Sequence, residues 1–152
     1  MTTAVTRPRT VTARIDAADT VSSAPAPAVY TATVYMNTHH DNFDGYETHH
    51  PLAAALRRDN SALHLVFHAS DRIRSHEDAA DAAFEVGNDQ GADDNGQTWP
   101  ADIRSVSVGD VIKVTGPDAR TVHLSVDSYG FSPVPEPTTL VALTDPRVTH
   151  RD

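Results

Sequence analysis

The stretch DVIKVTGPDARTVHLSVD, Asp110 to Asp127, decides the fold. DVIKV reads as a strand in its first half, with Ile112 and Val114 on either side of Lys113, and Val122, Leu124 and Val126 alternate with Thr121, His123, Ser125 and Asp127 in its second. A period of two marks strands that bury one face. Between them Gly116 to Arg120, GPDAR, supplies turn residues, so the two runs form an antiparallel hairpin. Directly paired residues share a face, which sets Ile112 opposite Leu124 and Val114 opposite Val122. Asp110 then falls on the inward side of the strand entry. A carboxylate there accepts hydrogen bonds from turn amides, with Gly109 supplying an unusual backbone angle.

Working outward, VYTATVYMN (Val29 to Asn37) alternates and predicts a first strand, and ALHLVFHAS (Ala62 to Ser70) predicts a second with Leu63, Leu65 and Phe67 on one face. PLAAALRRD from Pro51 reads as a short helix: proline suits its first position, Leu52 and Leu56 are one turn apart, and Arg57 and Arg58 suit the C-terminal dipole. SHEDAADAAFEVGN reads as a second helix, capped by Ser75 with Asp78 three residues on, buried through Ala79, Ala80, Ala83, Phe84 and Val86, and stopped by Gly87-Asn88. Glu77, Asp78, Asp81 and Glu85 form its solvated side. Asp89 to Pro100 is a loop by composition, with Trp99 pinning it to the body.

The order β-α-β-α-β-β predicts an α+β domain: a small mixed or antiparallel sheet of four to five strands under two covering helices, with a small β-barrel-like domain as the alternative. The domain spans 29–134. Residues 1–28, rich in Thr, Ala, Ser and Pro and carrying Arg7, Arg9 and Arg14, read as a flexible N-terminal arm; 135–152 form a Pro-rich tail whose TLVAL, Thr139 to Leu143, is either an edge strand or mobile.

The totals exclude several classes of function. Eleven arginines and one lysine, Lys113, against 21 acidic residues leave a net charge of -9, which argues against a phosphate-neutralising nucleic-acid surface. There is no cysteine, hence no thiolate ligand, thiol nucleophile or disulfide. No apolar run approaches the roughly 20 residues needed to cross a bilayer, and the N-terminus lacks a secretory h-region. These features predict a soluble, cytoplasmic chain with no membrane partner and an unassigned oligomeric state.

Two constellations suggest chemistry. THHDNFDGYETHH, Thr38 to His50, supplies His39, His40, Asp41, Asp44, Glu47, His49 and His50, a donor set that suits a divalent transition metal. Adjacent histidines on extended chain point apart, so a site requires His39 or His40 to meet His49 or His50 with Asp41, Asp44 or Glu47 beside them. The competing reading is a polar surface loop with no cofactor. HLSV, His123 to Val126, resembles half of the paired His-x-Ser/Thr signature of two-histidine phosphoesterases, with His123 and Ser125 in role and His64 as the second imidazole. HLVF, His64 to Phe67, has Val66 where the second hydroxyl is needed.

RSVSVGDVI, Arg104 to Ile112, followed by VDSYGF, Val126 to Phe131, resembles the YodL-like family. That family's pattern is an Arg-Ser-Leu-Ser-Val-Gly-Asp-Val-Val-like run, a short hairpin and a Ser-x-Gly-Phe-like ending. Arg104, Ser105, Ser107, Gly109, Asp110, Ser128, Gly130 and Phe131 match it; Val106 stands for the leucine and Ile112 for a valine. With FEVGND and WPADI upstream, the likeness covers Phe84 to Val134. It implies a noncatalytic accessory module of plasmids, conjugative elements or phages that binds a host or element protein, and it brings no catalytic residue. The same residues also read as turn and strand-entry positions.

Overall fold

The computed structural model describes residues 28–39 and 44–143. The expected arm at 1–28 lies outside the described residues except for Ala28, as do His40, Asp41 and the end of the tail from 144. Six strands, all paired antiparallel, form one sheet: β1 (Val29–Asn37), β2 (Leu52–Ala54), β3 (Leu65–His68), β4 (Val111–Thr115), β5 (Thr121–Asp127) and β6 (Gly130–Val134). Its order is β2-β1-β4-β5-β6, and β3 shares the β2 edge of β1. The hairpin has the expected register, Ile112 opposite Leu124 and Val114 opposite Val122. β1 extends that face, setting Ala32 against Val114 and Val34 against Ile112.

One helix, α1 (His76–Val86), covers this face through Ala79, Ala80, Ala83 and Val86. Three alanines of four let the helix axis come close to Tyr30, Ala32, Val34 and Met36 of β1. Ser75 Oγ accepts from Asp78 N at 3.1 Å, while Asp78 reaches back to Arg74 N at 2.9 Å, one residue beyond the usual capping-box partner. Gly87 ends the helix at φ -66°; its role is space, because a Cβ there would lie 2.3 Å from Val106 Cγ2.

The helix expected from Pro51 does not form. Leu52–Ala54 is a strand whose residues pair with Tyr35–Asn37, and Leu56 bridges Ala62 across a turn that carries Asn60 at φ +67°. Alanine-rich chain favours helix locally, but β1 presents an edge of unpaired amides and carbonyls beside it, and that tertiary demand outweighs propensity. The observed α+β arrangement is therefore a six-stranded antiparallel sheet with one helix among the described residues. The barrel alternative also fails, because the sheet is open.

The segment after β6 crosses the face opposite α1. Glu136 acts electrostatically on Tyr35 and His123, and Thr139 to Val141 reaches β2, with Leu52 N donating to Thr139 O and Val141 N to Leu52 O. Six residues from Val134 to Leu140 span at most about 20 Å. Five flat inter-strand steps need about 24 Å, so the sheet must curl toward itself for this strap to fit. Elsewhere the β3 edge is blocked: Asp93 Oδ2 accepts from Val66 N and Asp94 Oδ2 from His68 N, carboxylates standing where another strand would pair. No helix among the described residues is long and apolar enough to cross a membrane.

Candidate functional site

In an antiparallel sheet alternate strands end at the same side, which brings the end of β1, the start of β2, the entry to β4 and the end of β5 together. Here the RSVSVGD run closes on itself. Asp110 is fully buried and accepts four hydrogen bonds: from Arg104 NH1 at 2.8 Å and NH2 at 2.7 Å, from Asn37 N at 2.7 Å and from Ser107 N at 2.8 Å. Arg104 also donates to Asn37 O at 3.0 Å and Ser105 O at 3.0 Å. Burial opposes the guanidinium charge, but the Asp110 bonds and charge outweigh it and raise the Arg104 pKa. Gly109, at φ +95°, turns the chain so that its N–H meets Val126 O and the carboxylate of Asp110 points inward. The turn-amide role expected of Asp110 is what the structure shows, and the arginine fork is an addition.

Asn37 joins this clamp to the histidine loop, and sequence reasoning missed it. Its Nδ2 donates to Gly109 O at 2.9 Å and to His50 Nδ1 at 3.0 Å, while Oδ1 accepts from His39 N at 2.8 Å. Both ends of the amide are thereby assigned by their partners. The only available signal was a short polar residue ending a clean alternation. Glu47 N donates to the same His50 Nδ1 at 3.1 Å. In the neutral ring the lone pair sits on Nδ1 and the proton on Nε2. Burial, then the neighbouring His39 and His49 charges, lower the His50 pKa against a smaller opposing pull from Glu47.

Among the described residues, His39 does converge on His49 and His50. His39, His49 and His50 each place a ring nitrogen within 4.8 Å of the others, and Glu47 Oε1 lies 3.8 Å from His49 Nδ1. His39 lies nearly parallel to His50 with centroids 4.2 Å apart, and His49 meets His50 edge-on at 4.6 Å. Asp44 instead lines an open recess of about 530 Å³ with Val108, Asp127, Ser128 and Tyr129. Tyr129 sits in the two-residue turn between Asp127 and Gly130 and is 100% exposed. Gly130, at φ +112°, permits that turn, and Phe131 packs against the core.

The phosphoesterase set is not brought together. His64 is turned by a 3.0 Å bond between its Nδ1 and Thr33 Oγ1, and His123 stacks on Tyr35 at 6.4 Å. His64 immediately precedes β3 and His123 lies on β5, with β1 and β4 between those strands, so three inter-strand steps, about 14 Å, separate the two side chains. That spacing cannot place both imidazoles within hydrogen-bond reach of one phosphodiester. Ser125 is buried, facing Asp127 Oδ1 and Ser132 O at 3.4 Å.

Comparison with known proteins returned no match among family models, curated proteins or solved structures.

Proposed function

We propose that this domain is a noncatalytic interaction module, of the accessory kind that the YodL-like resemblance implies for mobile elements, and that it docks a host or element protein through the β5–β6 turn. The observation that carries this reading is Tyr129, a large aromatic fully exposed on a two-residue hairpin above a recess. Tyrosine is a common interface anchor because it covers much apolar area with few rotamers to freeze. The hairpin is held by the motif: Ser132 Oγ donates to Asp127 Oδ2, and Gly109 N to Val126 O. Asp44 and Asp127 beside the ring, on a chain of net charge -9, select a partner with a basic rim around an apolar socket. The motif residues then serve as scaffold for the tip, which accounts for a pattern of turn and strand-entry residues with no catalytic set.

Seating the ring in a socket stabilises a complex by about 2 kcal/mol, or about 30-fold in Kd. A photo-crosslinking residue at Ser128 should capture a discrete protein that the same residue at Thr121 does not. With that protein purified, Tyr129→Ala should weaken binding by about 30-fold while thermal stability holds. Equal capture at both positions, or unchanged affinity of the alanine variant, would overturn the assignment.

A further inference from the structure

We infer that His39, His49 and His50 form a binding site for one divalent transition metal ion, at a place distinct from the docking tip. The first support is convergence from two separate backbone segments. His39 follows the end of β1, His50 is fixed by Asn37 and by the Glu47 amide, and His49 precedes it in the bend before Pro51. Histidines that merely decorate a polar loop have no reason to share a space where every ligand nitrogen lies within 4.8 Å. Three nitrogens bound to one ion at about 2.0–2.1 Å in tetrahedral array lie about 3.3 Å apart. Closure therefore requires shifts of no more than about 1.5 Å, within reach of side-chain rotation.

The second support is the graded burial of the three rings. His50 is buried, His39 half-buried and His49 exposed, so the cluster opens to solvent on one side, as ion entry and a non-protein ligand require. Asn37 and the Glu47 amide, with the Arg104–Asp110 clamp behind Asn37, hold the His50 ring at a fixed place in the cluster by donating to its Nδ1. Glu47, 3.8 Å from His49 Nδ1, brings a negative charge to the open side.

Two adjustments accompany binding. His39, nearly parallel to His50, must tip until the ion lies in the plane of both rings. Binding at Nε2 puts the His50 ring proton on Nδ1, so the Asn37 amide and the Glu47 N–H, which both donate to Nδ1, must give up those bonds. No net proton is lost from the ring in that exchange. It trades hydrogen bonds for a metal–nitrogen bond.

The donor chemistry selects the ion class. Imidazole suits Zn, Ni, Co and Cu, whereas magnesium and calcium require oxygen cages. With no cysteine in the chain, thiolate sites cannot compete. Because protonated imidazole is not a ligand, affinity must fall in acid.

The test uses the full untagged chain, titrated calorimetrically with zinc chloride and followed in parallel with cobalt(II), whose visible spectrum reports nitrogen coordination. One equivalent should bind, with a dissociation constant of micromolar or tighter at pH 7.5 and weaker binding at pH 5.5. His39→Ala and His49→Ala should each weaken binding by more than about 10-fold, as loss of a ligand must exceed loss of an outer-shell partner. His68→Ala, at an exposed histidine paired with Asp94, should bind as the parent does. Circular dichroism and thermal melting in chelator would show that the two site variants are folded, which their exposed or half-exposed positions favour. Absence of binding to the parent protein, or equal weakening by all three variants, would overturn the site.

Discussion

Replacing Asp110 by alanine tests the central claim about the family-like motif, that its aspartate holds the fold together. The carboxylate has no exposed surface and meets four N–H donors at 2.7 to 2.8 Å, two of them from Arg104, whose side chain is 16% exposed. Removing one member of a buried ion pair costs about 3–5 kcal/mol because the other charge stays behind. The amides of Asn37 and Ser107 lose their acceptor too, at about 1–3 kcal/mol each, partly offset by water entering the vacated space. The expected loss is about 4–6 kcal/mol, a large part of a total stability of about 5–15 kcal/mol. Asp110→Asn keeps the volume and one acceptor but sets an NH2 against donors, so about 2–3 kcal/mol is expected. Urea unfolding followed by circular dichroism reads both. Arg104→Met with Asp110→Ala should cost less than the sum of the single changes by more than about 1 kcal/mol, since the second removal takes away a charge already stranded. A loss below 1 kcal/mol for Asp110→Ala, or strict additivity in the cycle, would refute the clamp.

Burial, with a contribution from Lys113, holds the His123 pKa below its ordinary value against an opposing Glu136 pull. The unfolded chain then binds more protons just below its own imidazole pKa, so in chelator the fold is most stable above about pH 6.5 and weakens as pH falls. His123→Gln should flatten part of that slope in urea midpoints taken from pH 5 to 7.5. Gly87→Ala drives a methyl to within 2.3 Å of Val106 Cγ2 and should lower stability by about 1–3 kcal/mol, read as a drop in melting temperature. The paired change Asp93→Ala and Asp94→Ala frees the Val66 and His68 amides at the β3 edge, and light scattering should show self-association that the parent lacks.

What was legible in the sequence was whatever local alternation dictates. β1 and the β4–β5 hairpin followed from a period of two with one buried face, and α1 from an alanine stripe with a serine cap. The misread stretch was PLAAALRRD, where local preference and tertiary demand disagree: alanine favours helix, but the free edge of β1 at Tyr35–Asn37 needs a partner. Asp110 was readable from its phase. Arg104 as its partner was not, because a bidentate fork six residues away depends on how the turn folds back. Asn37 showed only as a short polar residue ending β1, since its side-chain partners are Gly109, His50 and His39, and a single sequence carries no sign of a contact made 72 residues apart.

The two proposed sites share a frame because of how antiparallel strands alternate. Asn37 closes β1, Pro51 opens the path into β2, Asp110 precedes β4 and Asp127 ends β5, so all lie at one end of the sheet. The chain from Thr38 to His50 is tied there at both ends: Thr38 N donates to Pro51 O, and His50 accepts from Asn37. Asp44, within that chain, forms part of the wall beside Tyr129. An ion held by His39, His49 and His50 would add positive charge to the same end of the sheet as Asp44 and so alter the charge that a basic partner meets. Coupling between two equilibrium binding events is reciprocal, so an ion that changes the affinity of the partner must have its own affinity changed by the partner by the same factor. The clamp of Arg104 and Asp110 does not touch either ligand. It holds Asn37 in place, and Asn37 is the residue through which the histidine loop and the motif are joined.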